Sequence, residues 1–91
     1  MSRTNMDVNY SRQFKKQYKK LPQEIKNKFK ERLVLFLKDQ SNRQLSVHKL
    51  SGKLDDLWSI NITGDIRAII DRSFDGVALF VAIGSHSELY E

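Results

Sequence analysis

The chain has 91 residues, of which 40% are hydrophobic and 30% charged, proportions typical of one small folded domain over residues 1–91. It contains no cysteine, which excludes a disulfide framework and a thiolate zinc site. The N-terminal residues lack the apolar core of a signal peptide, and no window is apolar enough to span a membrane. These features predict a cytoplasmic protein with no membrane contact.

The net charge of +5 is concentrated in the first 40 residues. That segment holds 11 Lys and Arg against 4 Asp and Glu, a net charge of +7, whereas residues 41–91 hold 5 against 7, a net charge of −2. Such a positive field attracts phosphate backbones or acidic proteins before specific contacts form. A solvated helix face explains the pattern equally well, so composition leaves both interpretations open.

The first half of the chain predicts a short edge strand and then two helices. Residues 7–10 fit the strand, and Ser11 is a good N-cap for a helix over residues 12–21. The apolar side chains of this helix fall on one stripe and are Phe14, Tyr18 and Leu21. Pro22 ends the helix and suits the first position of a second one, which we expect to reach Lys38. The short connection predicts an antiparallel helical hairpin.

The second half predicts a meander of strands. Residues 41–47 show no period and predict a loop. Alternating apolar and polar residues then predict two strands, each with one buried face, joined by a turn at Thr63-Gly64. Their apolar members are Trp58, Ile60, Ile62, Ile66, Ala68 and Ile70. Asp75-Gly76 is typical of a hairpin turn, and the apolar run 77–83 predicts a central strand. The expected fold is therefore α+β, with the helical hairpin packed on a small antiparallel sheet.

Polar groups that can carry chemistry fall in four places in this half. They are His48 and Lys49 with Lys53, then Asn61, then Asp65 with Arg67, and finally His86 with Tyr90. Metal-independent RNA cleavage needs a base for the ribose 2′-OH, a cation for the phosphorane oxygens and an acid for the departing 5′-oxygen. Two imidazoles and one guanidinium can supply these functions if the meander brings the strand ends together.

Each candidate also has a purely structural interpretation. His48 fits a solvated histidine at a loop end, and Arg67 fits an ion pair on an exposed sheet face. His86 and Tyr90 fit an anchor for the C-terminus, and Trp58 fits the core. The chain has no G-x-S-x-G motif and no Gly-rich phosphate loop, and its two histidines are 38 positions apart, without metal-site spacing. None of these signals is specific by itself.

Taken together, the residues resemble the RelE/ParE superfamily of type II toxins, and within it the YafQ-like mRNA interferases. The matching segments are YSRQFKKQYKKL (10–21), HKLSGKL (48–54), WSI (58–60), DIRAII (65–70) and IGSHSELY (83–90). The resemblance implies a RelE-like fold and an endoribonuclease that cuts messenger RNA in the ribosomal A site. It also implies an acidic antitoxin as partner and no cofactor or metal.

The resemblance implies a role for each candidate residue. His48 is the expected general base and His86 the expected general acid, while Arg67 stabilises the phosphate. Asp65 is expected to orient a neighbouring group, and Tyr90 to stack on a base. The residues expected to contact RNA without a chemical role are Lys49, Lys53 and Asn61.

Two positions depart from the YafQ-like pattern. Asn61 stands where a second histidine is expected, and Ile66 where tryptophan is frequent. Asparagine donates a hydrogen bond but cannot shuttle a proton. Two alternatives stay open, the first because it shares the expected fold and the second because of Asn61. One is a ParE-like toxin that inhibits DNA gyrase without cutting RNA, and the other is a catalytically decayed toxin that only binds its antitoxin.

Overall fold

The computed structural model describes residues 6–50 and 56–90, without the side chain of Tyr90. Within these ranges the chain forms five strands and three helices. In chain order they are β1 (Asp7–Tyr10), α1 (Arg12–Lys19), α2 (Gln23–Lys38), β2 (His48–Lys49), β3 (Leu57–Asn61), β4 (Ile66–Asp71), β5 (Val77–Ser85) and α3 (His86–Tyr90). A 3-10 turn, Arg43–Leu45, lies between α2 and β2. None of the described helices is long and apolar enough to cross a membrane.

The strands form one sheet in the order β1-β5-β4-β3-β2. The meander β3-β4-β5 is antiparallel as predicted, and β2 adds to it antiparallel, but β1 pairs parallel with β5. The prediction of a purely antiparallel sheet is therefore wrong, and the sheet is mixed. The reason is connectivity: the chain passes through both long helices between β1 and the meander, and a long crossover permits a parallel pair.

Local signals set the ends of the first two helices. Ser11 caps α1 as predicted, because its Oγ accepts a hydrogen bond from the Phe14 N–H at 3.0 Å. The helix ends at Lys19, two residues earlier than expected, and Pro22 is the N-cap of α2 instead of its first residue. The two helices touch through the rings of Phe14 and Phe29, whose centroids are 5.5 Å apart. Their antiparallel direction stays a prediction.

The helices cover one face of the sheet, which we call the helix face. Phe80 of β5 is fully buried there, with its ring centroid 5.7 Å from that of Phe14 and 5.4 Å from that of Phe29. Leu45 is also fully buried, so the segment predicted to be a plain loop contributes to the core. The remaining fully shielded members of this core are Phe36, Ile60, Ile62, Ala68, Ile70 and Ala78. Each large side chain buried in this way contributes about 1.5–3 kcal/mol.

The opposite face of the sheet, which we call the far face, carries two adjacent rows of side chains. Paired residues on neighbouring strands lie on the same face of a sheet. One row consists of His48, Ser59, Ile69 and Ala82, and the next of Asn61, Arg67 and Gly84. Ser59 is fully buried, so the prediction that β3 has one buried face is wrong. Ile69 and Ala82 are only 5% and 7% exposed, which means that the middle of the sheet is shielded on both sides.

The C-terminal part differs from the prediction in two ways. β5 lies inside the sheet as expected, but it continues through Gly84 to Ser85. It then leads directly into α3, which packs back on β5 and was not predicted. The predicted hairpin turn before β5 is confirmed, and its Gly76 adopts a left-handed φ of 74° that favours glycine.

Candidate functional site

Arg67 lies at the centre of the candidate residues. It is half-buried on β4, on the far face, in register with Asn61 of β3 on one side and Gly84 of β5 on the other. Its Nε atom is buried and has no hydrogen-bond partner among the described residues. A buried donor without an acceptor costs about 1–3 kcal/mol. An arginine guanidinium carries five N–H donors in a planar fork, a geometry that suits an anionic ligand.

His48 occupies the edge strand β2, on the same face as Arg67. Its Nδ1 lies 3.0 Å from the carbonyl oxygen of Ser46. Because a carbonyl oxygen can only accept, Nδ1 carries the proton of the neutral ring, and Nε2 keeps its lone pair. Ser46 ends the 3-10 turn in a left-handed conformation with φ of 46°, which directs its carbonyl toward the ring. This bond therefore selects the tautomer of the neutral imidazole whose lone pair lies on Nε2.

A backbone hydrogen bond joins Asp65 and His86 at the end of the meander where β3 turns into β4. Asp65 sits in the turn between β3 and β4, and its carbonyl oxygen accepts the N–H of His86 at 3.2 Å. Thr63 Oγ1 in turn accepts the N–H of Asp65 at 3.3 Å. Both Asp65 and His86 have exposed side chains. The turn therefore fixes the first residue of α3 beside the strand end that carries Arg67.

A capping box holds α3 in place. The Ser85 N–H donates to Glu88 Oε1 at 2.8 Å, and the Glu88 N–H donates to Ser85 Oγ at 3.2 Å. The hydrogen bond from the Ser85 backbone lowers the pKa of Glu88 below its ordinary value of 4.5. Sequence reasoning missed these two residues, although Ser-x-x-Glu at 85–88 is a readable signature of a helix start.

Gly84 allows α3 to lie close to the strand. A Cβ atom at this position would be 2.8 Å from Glu88 Oε1 and 3.6 Å from Leu89 Cδ2. The side chains of Glu88 and Leu89 therefore cover the far face at the row that contains Arg67. This contact links the geometry of α3, and hence of His86, to β5.

The candidate residues form an open surface instead of a cleft. Across the sheet, His48 and Arg67 are two strand spacings apart, which is about 10 Å. Along the strands they are two residues apart, which is about 7 Å. Their Cα atoms are therefore about 12 Å apart. A hollow of about 280 Å³ on the far face has Ile69 and Ala82 in its floor, and none of the candidate residues lines it. Any substrate must therefore bridge groups that stand apart on the surface.

Of the three remaining predicted residues, Lys49 alone has a described side chain. Lys49 is exposed on β2 in register with Trp58, on the side of the strand opposite His48. Lys53 lies outside the described residues, as does the side chain of Tyr90, whose backbone ends α3. Within residues 6–50 and 56–90, no group of three His, Asp or Glu side chains could hold a metal ion.

Solved structures share this fold over almost the whole chain. YafQ of E. coli strain BL21(DE3) superposes with a TM-score of 0.77 at 23% identity, over 96% of this chain and 100% of that one. The E. coli DinJ-YafQ toxin-antitoxin complex gives 0.78 at 24% identity, over 96% and 99%. The RelB-RelE antitoxin-toxin complex of Methanococcus jannaschii gives 0.73 at 20% identity, over 91% and 95%. Curated protein sequences give no match.

The family comparison is more specific than these likenesses in fold. The family model described as YafQ, the bacterial toxin of a type II toxin-antitoxin system, matches residues 6–91. This match confirms the resemblance predicted from the sequence segments and includes all eight candidate site residues. The chain therefore belongs to the YafQ family of toxins from bacterial type II toxin-antitoxin systems.

Proposed function

We propose that this toxin is an endoribonuclease that cuts messenger RNA in the ribosomal A site without a metal ion. The observation that carries the proposal is Arg67. Its buried Nε lacks a partner among the described residues, and it lies on the same face as His48, beside the strand end from which His86 begins α3. The membership in the YafQ family supports the same assignment.

Arg67 is suited to bind the scissile phosphate. Arg67 is half-buried, and its planar guanidinium offers N–H donors in a geometry that matches two phosphate oxygens. Asn61, in register with Arg67, would add a neutral donor on the same face. The charge on the phosphate grows as the 2′-oxygen attacks, so these contacts strengthen in the transition state.

The two imidazoles carry the protons in this proposal. His48 Nε2 takes the proton of the ribose 2′-OH, and the 2′-oxygen forms a bond to phosphorus. His86 donates a proton to the 5′-oxygen as its bond to phosphorus breaks. The products are a 2′,3′-cyclic phosphate and a free 5′-OH. Asp65 orients His86 through its backbone carbonyl, which fixes the start of α3.

Three further residues would contact the RNA around the scissile bond. Tyr90 stacks on a base beside it, and Lys49 and Lys53 contact the RNA backbone. These assignments rest on the family resemblance, because Lys49 faces away from His48 and the other two side chains lie outside the described residues.

The open geometry supports dependence on the ribosome. His48, Asp65 and His86 are all exposed, and His48 stands about 12 Å from Arg67. Such a surface orients a flexible RNA poorly by itself. A messenger held in the A site would present a single ribose-phosphate link in a fixed geometry, which removes much of the entropic cost of alignment.

An antitoxin completes the proposed system. The structures of E. coli YafQ with DinJ and of M. jannaschii RelE with RelB each contain a toxin and its antitoxin. We infer that this chain is likewise kept silent by an antitoxin. An acidic one would complement the net charge of +7 on residues 1–40.

Primer extension on a message translated by purified ribosomes tests the nuclease. We expect wild-type protein to introduce cuts inside the message, and His48→Ala and His86→Ala each to lower the cleavage rate by about 10²–10⁴-fold. Arg67→Met should lower the rate about 10²–10³-fold. Arg12→Met is the matched control, because Arg12 is an exposed arginine at the start of α1. It should cleave at the wild-type rate.

Three results would contradict the proposal. Cleavage that survives both histidine substitutions would remove the acid-base mechanism. An intact message together with inhibited supercoiling by DNA gyrase would instead assign the chain to the ParE-like class. If induced wild-type protein neither arrests growth nor cuts RNA, the chain is a decayed toxin that only binds its antitoxin.

A further inference from the structure

A polar hollow lies at the β2 edge of the sheet, on the side of the helix face. It has a volume of about 520 Å³ and is lined by residues 40–43, Ser46, Val47, Trp58 and Arg72. These residues come from the connection between α2 and β2, from β3 and from the position that follows β4. No acidic side chain is among the described residues that line it. We call it the edge hollow.

Arg72 is held at the edge hollow by contacts that do not include a carboxylate. Its backbone N–H donates to the carbonyl oxygen of Asp56 at 2.8 Å, and its guanidinium donates to the side-chain oxygen of Gln40. The guanidinium carbon lies 5.4 Å from the centroid of the Trp58 ring and 5.7 Å from that of Phe36. Among residues 6–50 and 56–90 it forms no ion pair. The charge of this half-buried arginine is therefore not neutralised by the described residues.

The acidic residues nearest to the hollow in sequence bond to serines instead. Asp71 Oδ1 accepts the N–H and the hydroxyl of Ser73 at 2.9 and 2.7 Å. Asp39 Oδ1 accepts the N–H and the hydroxyl of Ser41 at 3.2 and 3.1 Å. An anionic group that enters the hollow would thus meet two lining arginines and no lining carboxylate.

Two amide side chains of the lining have their oxygen atoms engaged within the protein. Asn42 Oδ1 accepts the N–H of Gln44 at 2.9 Å, and Gln40 Oε1 accepts the guanidinium of Arg72. An amide whose oxygen is used in this way still offers its NH₂ group as a donor. The hollow therefore combines a flat ring and a flat guanidinium with donors that can reach the edge of a base.

The edge hollow adjoins His48 around the edge strand β2. Trp58 is in register with Lys49, so these two residues share the side of the sheet opposite His48. Trp58 and His48 are one strand spacing and one residue apart, which places their Cα atoms about 6 Å from each other. Ser46 lines the hollow, and its carbonyl oxygen holds Nδ1 of His48. A strand of RNA that crosses this edge can therefore contact both sides.

We propose that the edge hollow is a subsite for an unpaired nucleotide of the messenger that flanks the scissile link. Its base stacks on the Trp58 ring and the Arg72 guanidinium, and the two amide NH₂ groups donate to the base edge. Arg43 and Lys49 contact the phosphates on either side of it. The inference rests on the proposed RNA substrate, but not on the acid-base chemistry. It gives Lys49 a function that its position away from the far face otherwise lacks.

A nucleotide fits the edge hollow better than an apolar protein segment does. The volume lies within the range of about 300–1,000 Å³ typical of small-ligand sites. Val47 and Trp58 are the only apolar side chains among the described residues that line it. An apolar segment would remove the arginines and amides from water without giving them acceptors, which is costly. A nucleotide supplies acceptors on its base and phosphate and a flat face for stacking.

The fluorescence of Trp58 tests the subsite, because Trp58 is the only tryptophan of the chain. The probe is a single-stranded RNA hexamer with 2′-O-methyl groups, which has no free 2′-OH and so cannot be cut. We expect saturable quenching of the Trp58 emission in wild-type protein. Arg72→Gln should bind the hexamer at least about tenfold more weakly, through lost stacking and charge. A hexamer of the same length without bases should leave the emission unchanged.

Arg12→Gln is the matched control, because it removes the same charge from an exposed arginine outside the hollow. Arg12 follows β1, the opposite edge strand, which is four strand spacings or about 19 Å from β2. At about 0.15 M salt the Debye length is about 8 Å, so this variant should bind within about twofold of wild type. Equal weakening by Arg12→Gln and Arg72→Gln would overturn the proposal. So would an unquenched wild type, or equal quenching by the hexamer without bases.

Lys49→Gln guards against a variant that fails to fold. Arg72 contacts the buried ring of Phe36, whereas Lys49 is exposed, so its replacement leaves the core intact. We expect Lys49→Gln to weaken binding of the hexamer about threefold and to lower the dependence of binding on salt. Binding at the wild-type level with an unchanged salt dependence would remove Lys49 from the subsite. Circular dichroism spectra that match wild type establish that each variant is folded.

Abasic messages identify which RNA fills the hollow. Ribosomes are programmed with a message that lacks one base, on either side of the cut codon in turn. If a messenger base occupies the hollow, one of these messages and Arg72→Gln should each raise KM about tenfold, and together raise it no further. Losses that multiply would place a ribosomal base there and overturn the assignment to the messenger.

Quenching and cleavage together separate this inference from the proposed function. We expect His48→Ala to bind the hexamer within about twofold of wild type while it loses cleavage, because His48 lies on the other side of β2. Wild-type protein that is quenched by the hexamer but cuts no RNA would remove the nuclease and leave the hollow as a nucleotide site. Wild-type protein that cuts messages without quenching would remove the subsite and leave the nuclease.

Discussion

The two faces of the sheet differ in the side-chain atoms that they bury. On the helix face, Phe14, Phe29 and Phe80 pack ring against ring and present no polar atom to the core. On the far face, Ser59 Oγ and Arg67 Nε are buried without a hydrogen-bond partner among the described residues. Burying one large apolar side chain contributes about 1.5–3 kcal/mol, and one unsatisfied polar atom costs about 1–3 kcal/mol. The helix face therefore supplies apolar packing that stabilises this small domain, whereas the far face holds buried polar atoms that the described residues leave unpaired.

The strongest test of this division is truncation of a central ring. Phe80→Ala removes a fully buried side chain that contacts rings from both long helices. We expect it to lower the free energy of unfolding by about 3–5 kcal/mol in urea denaturation, through lost burial and a residual cavity. A loss below about 1.5 kcal/mol would show that the ring cluster is not the main source of stability.

Phe74→Ala is the control for that experiment. Phe74 is 57% exposed in the connection between β4 and β5, so its removal leaves no cavity. Its free energy of unfolding should stay within about 0.5 kcal/mol of the wild-type value. A larger loss would mean that Phe74 is buried in solution, for example between two copies of the chain.

A matched pair of serines sharpens the contrast between satisfied and unsatisfied polar groups. Ser11 Oγ accepts the Phe14 N–H at 3.0 Å and donates to the carbonyl of Val81 at 2.9 Å. Ser11→Ala should therefore cost about 1–2 kcal/mol. Ser59→Ala removes a buried hydroxyl without a described partner, so it should leave stability unchanged or raise it by up to about 1 kcal/mol.

Thermal and urea unfolding of both serine variants decide the comparison. The two substitutions remove the same atom, so differences in side-chain chemistry cancel. If Ser59→Ala destabilises as much as Ser11→Ala, the Ser59 hydroxyl is satisfied in solution. Arg67 Nε would then be the one remaining atom of the described residues on the far face that is buried without a hydrogen-bond partner.

The sequence was sufficient for features that depend on neighbours along the chain. The cap at Ser11, the break at Pro22 and the turn at Asp75-Gly76 follow from hydrogen bonds and φ values that are set within a few residues. The α3 start also belongs to this class, since Ser85 and Glu88 form a local motif. That helix was missed because its five residues are too few to show a period.

Features that depend on distant pairing were not predictable in the same way. The parallel pairing of β1 with β5 joins residues about 70 positions apart, and β2 has only two residues, too few for an alternation. The far-face arrangement of His48, Asn61 and Arg67 depends on strand register, which composition does not reveal. The family resemblance supplied these residues by name, but not the buried Nε of Arg67.

A pair of glycines tests the link between the far face and α3. Gly84→Ala introduces a Cβ 2.8 Å from Glu88 Oε1, so the carboxylate must move and its hydrogen bond to Ser85 is lost. The flexible side chain can move at little cost to the core, and we expect a loss of about 1 kcal/mol. Gly64→Ala meets no atom within 4 Å and should change stability by less than about 0.5 kcal/mol.

Cleavage assays on the glycine variants extend that test to the proposed chemistry. A displaced α3 moves His86, so Gly84→Ala should lose more activity than its modest loss of stability explains. An error of about 1 Å in a catalytic group can cost about 10²-fold. Equal cleavage by Gly84→Ala and Gly64→Ala would show that the position of α3 does not matter for catalysis.

The smallest expected effect is the pH dependence of the α3 cap. The hydrogen bond from the Ser85 backbone lowers the pKa of Glu88 below 4.5 in the folded protein. Because the folded-state pKa is depressed, the stabilising contribution of this carboxylate is fully present above the ordinary value and is lost as the pH falls through the folded pKa. In NMR spectra, the Ser85 amide resonance of wild-type protein should titrate with an inflection below pH 4.5. Glu88→Gln should abolish that inflection while the amide of Phe80, on the helix face, stays unchanged in both proteins. An inflection at or above 4.5 would mean that the cap does not form in solution and that α3 is held by Asp65 and packing alone.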